Sequence, residues 1–190
     1  SSLLGHFVSS VNGQSVARKT SFLRDNMNHH IFKPEVTIVD DPLRPSGIAS
    51  RPFDAEGVTC RTVDLVKAGQ LKSWILDSTT ARQLELETTG HASRGTSSPP
   101  TPSASNLYLK SGTKTRNDLI RNIKEGILVT ELIGMGINMI TGDYSRGAAG
   151  FRIENGEITY PISEITVAGN LQSMFAELTP ADDLVYRYGM

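Results

Sequence analysis

The 190-residue sequence predicts an α+β fold: mostly antiparallel strands and hairpins in a sheet or barrel-like core, with three or four short peripheral helices. Three observations carry this. Phe151-Arg152-Ile153-Glu154, Asn155-Gly156 and Glu157-Ile158-Thr159-Tyr160 read as strand, turn and strand, because Asn-Gly suits the two positive-φ positions of a type I′ turn. A second hairpin pattern, residues 62–67 and 71–76, flanks Ala68-Gly69-Gln70, with Val63 and Leu65 on one face. Leu171, Met174, Phe175 and Leu178 fall at i, i+3, i+4 and i+7, the spacing of a helix with one apolar stripe.

Taken in order, Leu3, Leu4, Phe7, Val8 and Val11 repeat at helical spacing, and Asn12-Gly13 closes that helix. Residues 15–24 read as a short helix or irregular turn, and residues 36–39 as a strand after Pro34. An irregular segment follows through Pro45, Gly47 and Pro52 to Gly57. Ser78 or Thr79 is expected to cap a brief helix through Ala81 and Leu84. In residues 88–105, fourteen of eighteen are Ser, Thr, Pro or Gly. That composition cannot supply a packed core, so the segment is expected to be mobile or held by its neighbours. Residues 107–109 resemble a short strand. Thr115 with Asp118 is an acidic variant of the capping box ahead of Leu119, Ile120 and Ile123. Gly126 then ends the helix and Ile127-Leu128-Val129 begins a strand.

In the 151–160 hairpin the turn sets the register: Glu154 faces Glu157, Ile153 faces Ile158, Arg152 faces Thr159 and Phe151 faces Tyr160. The apolar four share one face, while the glutamates meet on the other and must be solvated or compensated. Pro161 interrupts the ladder, residues 164–167 make a further strand, Gly169-Asn170 caps the last helix and Thr179-Pro180 stops it. Before the hairpin, Gly134, Gly136, Gly142, Gly147 and Gly150, with Ala148 and Ala149, leave a backbone with few side chains. Such a stretch packs backbone closely on backbone or walls a binding site.

The charge balance, 19 basic and 20 acidic residues for a net −1, gives no phosphate-neutralising face, so nucleic-acid binding has little support. One cysteine excludes an internal disulfide framework and fits a reducing compartment. No apolar run approaches the about 20 residues of a membrane span, and the N-terminus does not read as a signal peptide. The chain enters a helical pattern at once and ends as strand-like residues resume at Tyr188-Gly189-Met190, so both ends read as cuts through a longer protein.

Motifs for chemistry are sparse. A phosphate-binding GxxxxGK[ST] loop, a His-Glu-x-x-His helix and a Cys-x-x-Cys pair are all absent. His29 and His30 are adjacent in a polar stretch and are expected to face solvent. Cys60 and Ser145 are candidate nucleophiles, and Asp40, Asp41, Asp54 and Glu56 a candidate acid–base or cation cluster, with no spacing that fixes either.

Several long segments, in one order over nearly the whole chain, resemble the C-terminal domain of the TldD/PmbA family. They include Thr141-Gly142-Asp143-Tyr144-Ser145-Arg146-Gly147-Ala148-Ala149-Gly150-Phe151, Ile153-Glu154-Asn155-Gly156-Glu157-Ile158 and Glu164-Ile165-Thr166-Val167-Ala168-Gly169-Asn170-Leu171. Arg18-Lys19-Thr20-Ser21-Phe22-Leu23, Phe53-Asp54-Ala55-Glu56-Gly57 and Thr89-Gly90-His91-Ala92 agree. The resemblance implies that residues 1–190 are one domain, most of the C-terminal domain of a cytoplasmic two-domain protein whose N-terminal domain and extreme C-terminus lie outside this sequence. It implies partnership in a protease acting on unfolded peptides, and it brings an older label, modulator of DNA gyrase. One branch, TldD-like, has a zinc-binding His-Glu-x-x-x-His helix and a late cysteine ligand; the PmbA branch, also called TldE, lacks them and pairs with the first.

At the matching helix this sequence reads Gly5-His6-Phe7-Val8-Ser9-Ser10, with no glutamate after His6 and a serine in place of the second histidine. By that resemblance the chain falls in the metal-free branch: no catalytic residue, no metal ligand and no cofactor of its own, with zinc in a TldD-like partner. Expected partners are that subunit and an unfolded peptide, with a homodimer possible in isolation and neither nucleic acid nor membrane involved. Asn138, Thr141, Gly142, Ser145, Arg146 and His91 are the residues expected to bind peptide. The competing readings are a stand-alone hydrolase using Ser145 or Cys60, and a regulatory binding module of the gyrase-modulator type without proteolysis.

Overall fold

The computed structural model describes residues 2–184, so the strand-like residues Tyr188-Gly189-Met190 lie outside it. In chain order the elements are α1 (Ser2–Val11), α2 (Gly13–Ala17), β1 (Ile38–Asp40), β2 (Val63–Lys67), β3 (Gln70–Leu71), α3 (Ser78–Gln83) and β4 (Ala92–Ser93). Then come β5 (Thr101–Pro102), β6 (Leu107–Leu109), α4 (Arg116–Arg121), β7 (Glu125–Ile133), β8 (Asp143–Glu154), β9 (Glu157–Asn170) and α5 (Leu171–Glu177). The described strands form three separate antiparallel sheets, ordered β3-β2-β1-β6, β4-β5 and β7-β8-β9. The α+β class stands, with five short helices among the described residues.

The core forms where the periodic helices meet the small sheet. Phe7 and Val11 of α1 are fully buried, as are Leu171 and Phe175 of α5, and Met174 and Leu178 pack against the same cluster. Four aromatic rings knit these elements: Phe175 lies 4.9 Å from Phe32, 6.1 Å from Phe22 and 6.2 Å from Phe7, centroid to centroid. Asn12 closes α1 and caps α2 by accepting from the Gln14 N–H at 3.0 Å. The Thr115–Asp118 capping box is present at α4, and Asn170 caps α5.

Several local expectations shift. The cap of α3 is Asp77, boxed with Thr80, rather than Ser78 or Thr79. The second arm of the hairpin around Ala68-Gly69-Gln70 is cut to Gln70–Leu71, because the chain then leaves the sheet to place Ile75 beside Asn12. α4 ends at Arg121, and Gly126 sits inside β7 rather than closing the helix. The segment 88–105 is held by neighbours: it supplies β4 and β5, and Ala92 is fully buried.

The Asn155-Gly156 turn has φ of 51° and 83°, as a type I′ turn requires. Its N–H groups donate to the Lys124 and Ile123 carbonyls, both at 2.8 Å, tying the tip to the chain before β7. Glu154 pairs with Glu157 and Ile153 with Ile158 as expected, but Phe151 pairs with Pro161 rather than Tyr160. A register shift between Phe151 and Ile153 absorbs the proline, so β9 runs unbroken through residues 157–170 instead of dividing in two. Arg152 compensates the clustered acids, lying 3.3 Å from Glu125 and 3.5 Å from Glu154.

Candidate functional site

The glycine-rich stretch becomes a turn, residues 137–143, leading into β8. Its polar side chains are spent on building it. The Asn138 side-chain Oδ1 accepts from the N–H groups of Ile140 and Thr141 at 3.0 and 3.4 Å. The Thr141 hydroxyl donates to the Asp143 carboxylate at 2.6 Å, and the Asn170 amide donates to the Thr141 carbonyl at 3.0 Å. Gly142 takes φ +81°, where a side chain would be strained and would press the Asn170 amide at 3.2 Å. Asn138, Thr141 and Gly142 therefore shape the surface, whereas Ser145 and Arg146 have groups left to offer. The Ser145 side chain is exposed and its hydroxyl makes no hydrogen bond among the described residues.

Tyr144 and Arg146 are two positions apart on β8 and share one strand face. That face meets α1: the His6 and Tyr144 rings touch edge-on, centroids 6.0 Å apart. Burial first, and the Arg146 guanidinium second, hold the His6 imidazole below the ordinary histidine value. Arg146 donates through Nη2 to the Leu132 carbonyl at 3.3 Å, while its Nε and the Nε2 of His6 are buried with no hydrogen-bond partner among the described residues. Sequence reasoning named Arg146 but missed this grouping. The one signal for it was the alternate spacing of Tyr144 and Arg146; nothing local announces that His6 lands on them.

His91 does not belong to this surface. It is 2% exposed, with Nε2 3.0 Å from the buried Asp40 carboxylate and Nδ1 2.8 Å from the Thr89 hydroxyl. Asp40 also accepts from the Ser105 N–H at 2.7 Å and the Ser105 hydroxyl at 2.6 Å, so the pair pins both ends of the 88–105 segment to β1. A histidine enclosed this way has no face to present to a peptide.

The nucleophile candidates lack activation. Cys60 is 3% exposed, its thiol directed to the Gly90 carbonyl at 3.3 Å, and burial raises its pKa, disfavouring the thiolate. No base is bonded to Ser145 among the described residues. The four acids disperse: Asp40 holds His91, Asp41 accepts from Thr62, Asp54 accepts from the N–H groups of Glu56, Val58 and Ala92, and Glu56 accepts from the Ser78 N–H. His29 and His30 are exposed. An open hollow of about 490 Å³ elsewhere, beside Arg44 and Tyr108, includes none of the six residues expected to bind peptide. No described helix is long and apolar enough to cross a membrane.

Residues 1–190 match the profile of the PmbA/TldA metallopeptidase C-terminal domain. The chain is 42% identical to Metalloprotease PmbA of Escherichia coli O157:H7 over 186 residues, covering 97% of this chain and 39% of that protein. It is 38% identical to a PmbA homologue of Haemophilus influenzae, covering 97% of this chain and 40% of that one. A crystal structure from Bacteroides thetaiotaomicron, of a protein named for modulation of DNA gyrase, superposes with TM-score 0.83 at 31% identity, covering 95% of this chain and 39% of that one. TldE from Thermococcus kodakarensis superposes with TM-score 0.81 at 25% identity, covering 93% and 41% of the two chains. The chain thus spans about two fifths of the length of these relatives.

The metal ion that the family description implies does not fit the described residues. No three of their His, Cys, Asp or Glu side chains gather to hold one, and the imidazole on α1 stands near a guanidinium whose charge repels a cation. In sequence, profile and architecture, this chain belongs to the PmbA/TldD family, as a representative of its C-terminal domain.

Proposed function

We propose that this chain is the substrate-holding, non-catalytic component of a TldD/TldE-type zinc metallopeptidase complex in the cytoplasm. Zinc is supplied by a TldD-like partner subunit, and the substrate is an unfolded peptide. The observation that carries the reading is the donor set on α1: one imidazole, beside Arg146 rather than beside a second ligand. The sheet β7-β8-β9 supports the recognition half of the proposal. Its outer strands are nine and fourteen residues long, and neither has a further strand neighbour among the described residues. Such an edge accepts an extended peptide through main-chain hydrogen bonds. Ser145 and Arg146 supply side-chain contacts at its base, on the turn shaped by Asn138, Thr141 and Gly142.

The test is reconstitution of the full-length protein with and without its TldD-like partner, with bound zinc measured and cleavage of an unfolded peptide followed. Chelator-sensitive cleavage only when both chains are present is the expected result. Cleavage by this chain alone, lost in Ser145→Ala or Cys60→Ala, overturns it. Intact peptide in every mixture, with partner binding retained, turns the assignment to a regulatory module of the kind named in the gyrase-related relatives.

A further inference from the structure

Where α1 meets β8, His6 Nε2 and Arg146 Nε are buried with no hydrogen-bond partner among the described residues, and the Tyr144 hydroxyl bonds to none of those residues either. Tyr144 is 4% exposed, and both nitrogens are buried. Buried polar atoms are almost always satisfied, so a buried Nε–H with no acceptor is unusual. Arg146 has one carbonyl acceptor and no carboxylate partner among the described residues. Its neighbours add donors: a phenol, and an imidazole that donates whenever Nε2 carries the proton.

We propose that His6, Tyr144 and Arg146 form a binding site for a single carboxylate. The guanidinium offers Nε–H as one tine of its planar fork, suited to one carboxylate oxygen, and the phenol O–H reaches the same anion. The imidazole donates from Nε2 as the neutral tautomer, or as imidazolium once the anion offsets the charge of Arg146. Phosphate is a poorer match, because one half-occupied guanidinium and one neutral ring leave most of its charge unmet. The proposal rests on reading this surface as a peptide site and deepens it: the peptide is held by its chain-terminal carboxylate or by an Asp or Glu side chain placed at Arg146.

The experiment uses the full-length protein and four versions of one unfolded peptide: free or amidated at the C-terminus, each with one internal Glu or Gln. Binding is followed by fluorescence anisotropy. A terminal site binds the free-ended peptides about tenfold more tightly than the amidated ones, and a side-chain site prefers Glu over Gln by the same factor. Tyr144→Phe and Arg146→Gln reduce either ratio toward one, and retained circular dichroism shows that they fold. Equal binding of all four peptides overturns the carboxylate site and leaves the peptide reading in place. Absence of binding by any peptide overturns the peptide reading instead. In that event, acetate titration decides the site: it raises the NMR-measured pKa of His6 in the wild type and not in Arg146→Gln, and an unmoved His6 overturns the carboxylate site as well.

Discussion

β1 is three residues long and all three are buried, whereas β9 runs for fourteen residues that are largely exposed. The small sheet β3-β2-β1-β6 persists because its side chains lie in the aromatic and aliphatic core; its few ladder bonds alone would not hold such short strands. The outer sheet β7-β8-β9 is the reverse. Ile127, Val129, Phe151, Ile158 and Tyr160 are all at least 38% exposed. Its order comes from a long ladder that runs through its register shifts, a turn of the right chemistry and close backbone approach. One region is specified by burial, the other by backbone geometry, and the second offers the longer outer strands, nine and fourteen residues.

Side-chain deletion should separate the two regions most sharply. Phe175→Ala should lower stability by about 3–5 kcal/mol in urea unfolding, since its ring joins three other aromatics, while Phe151→Ala should cost about 1 kcal/mol or less. Equal losses would break the comparison. Next, Asp40→Ala leaves His91 and Ser105 without their acceptor and should cost about 3 kcal/mol. It should also make protease cleavage within residues 94–98 faster than in the wild type.

A backbone probe comes third. A Cβ at position 150 would overlap the Leu128 carbonyl, so Gly150→Ala should cost about 1–3 kcal/mol. Hydrogen exchange should quicken in β7 and stay unchanged in β1. The smallest effect is electrostatic, at the junction of the two regions. His6 has a folded-state pKa below its ordinary 6.5, so the unfolded chain takes up a proton that the native one refuses. Stability is therefore full above about 6.5 and falls as pH drops from there toward the lowered value. His6→Gln should remove that part of the slope.

What could be read from sequence was what neighbours in sequence decide. Asn155-Gly156, the Thr115–Asp118 box, the Asn170 cap and the helical stripes of α1 and α5 each depend on residues within a few positions. Pro161 marks a disturbance in the ladder, but whether the strand stops there or shifts register and runs on depends on its pairing with β8, so the register beyond Ile153 was not readable. Asp77, Ser78 and Thr79 are all good cap residues in a row, and only the box that Asp77 makes with Thr80 decides among them. Composition leaves open whether the segment carrying His91 is mobile or held, and it is Asp40, fifty-one positions earlier, that holds the histidine in a buried place. The candidate site divides likewise: Asn138, Thr141, Gly142, Ser145 and Arg146 could be named from one stretch, whereas the approach of His6 to Tyr144 is a tertiary event.

The tip of the long hairpin is stitched to residues 123 and 124 through the Asn155 and Gly156 N–H groups. That makes the turn a poor place to splice in a tag or to open the chain for permutation, despite its sequence looking like an ordinary surface loop. A spectroscopic label there would report on the β7-β8-β9 sheet as a unit, since the turn is bonded to the chain just before β7.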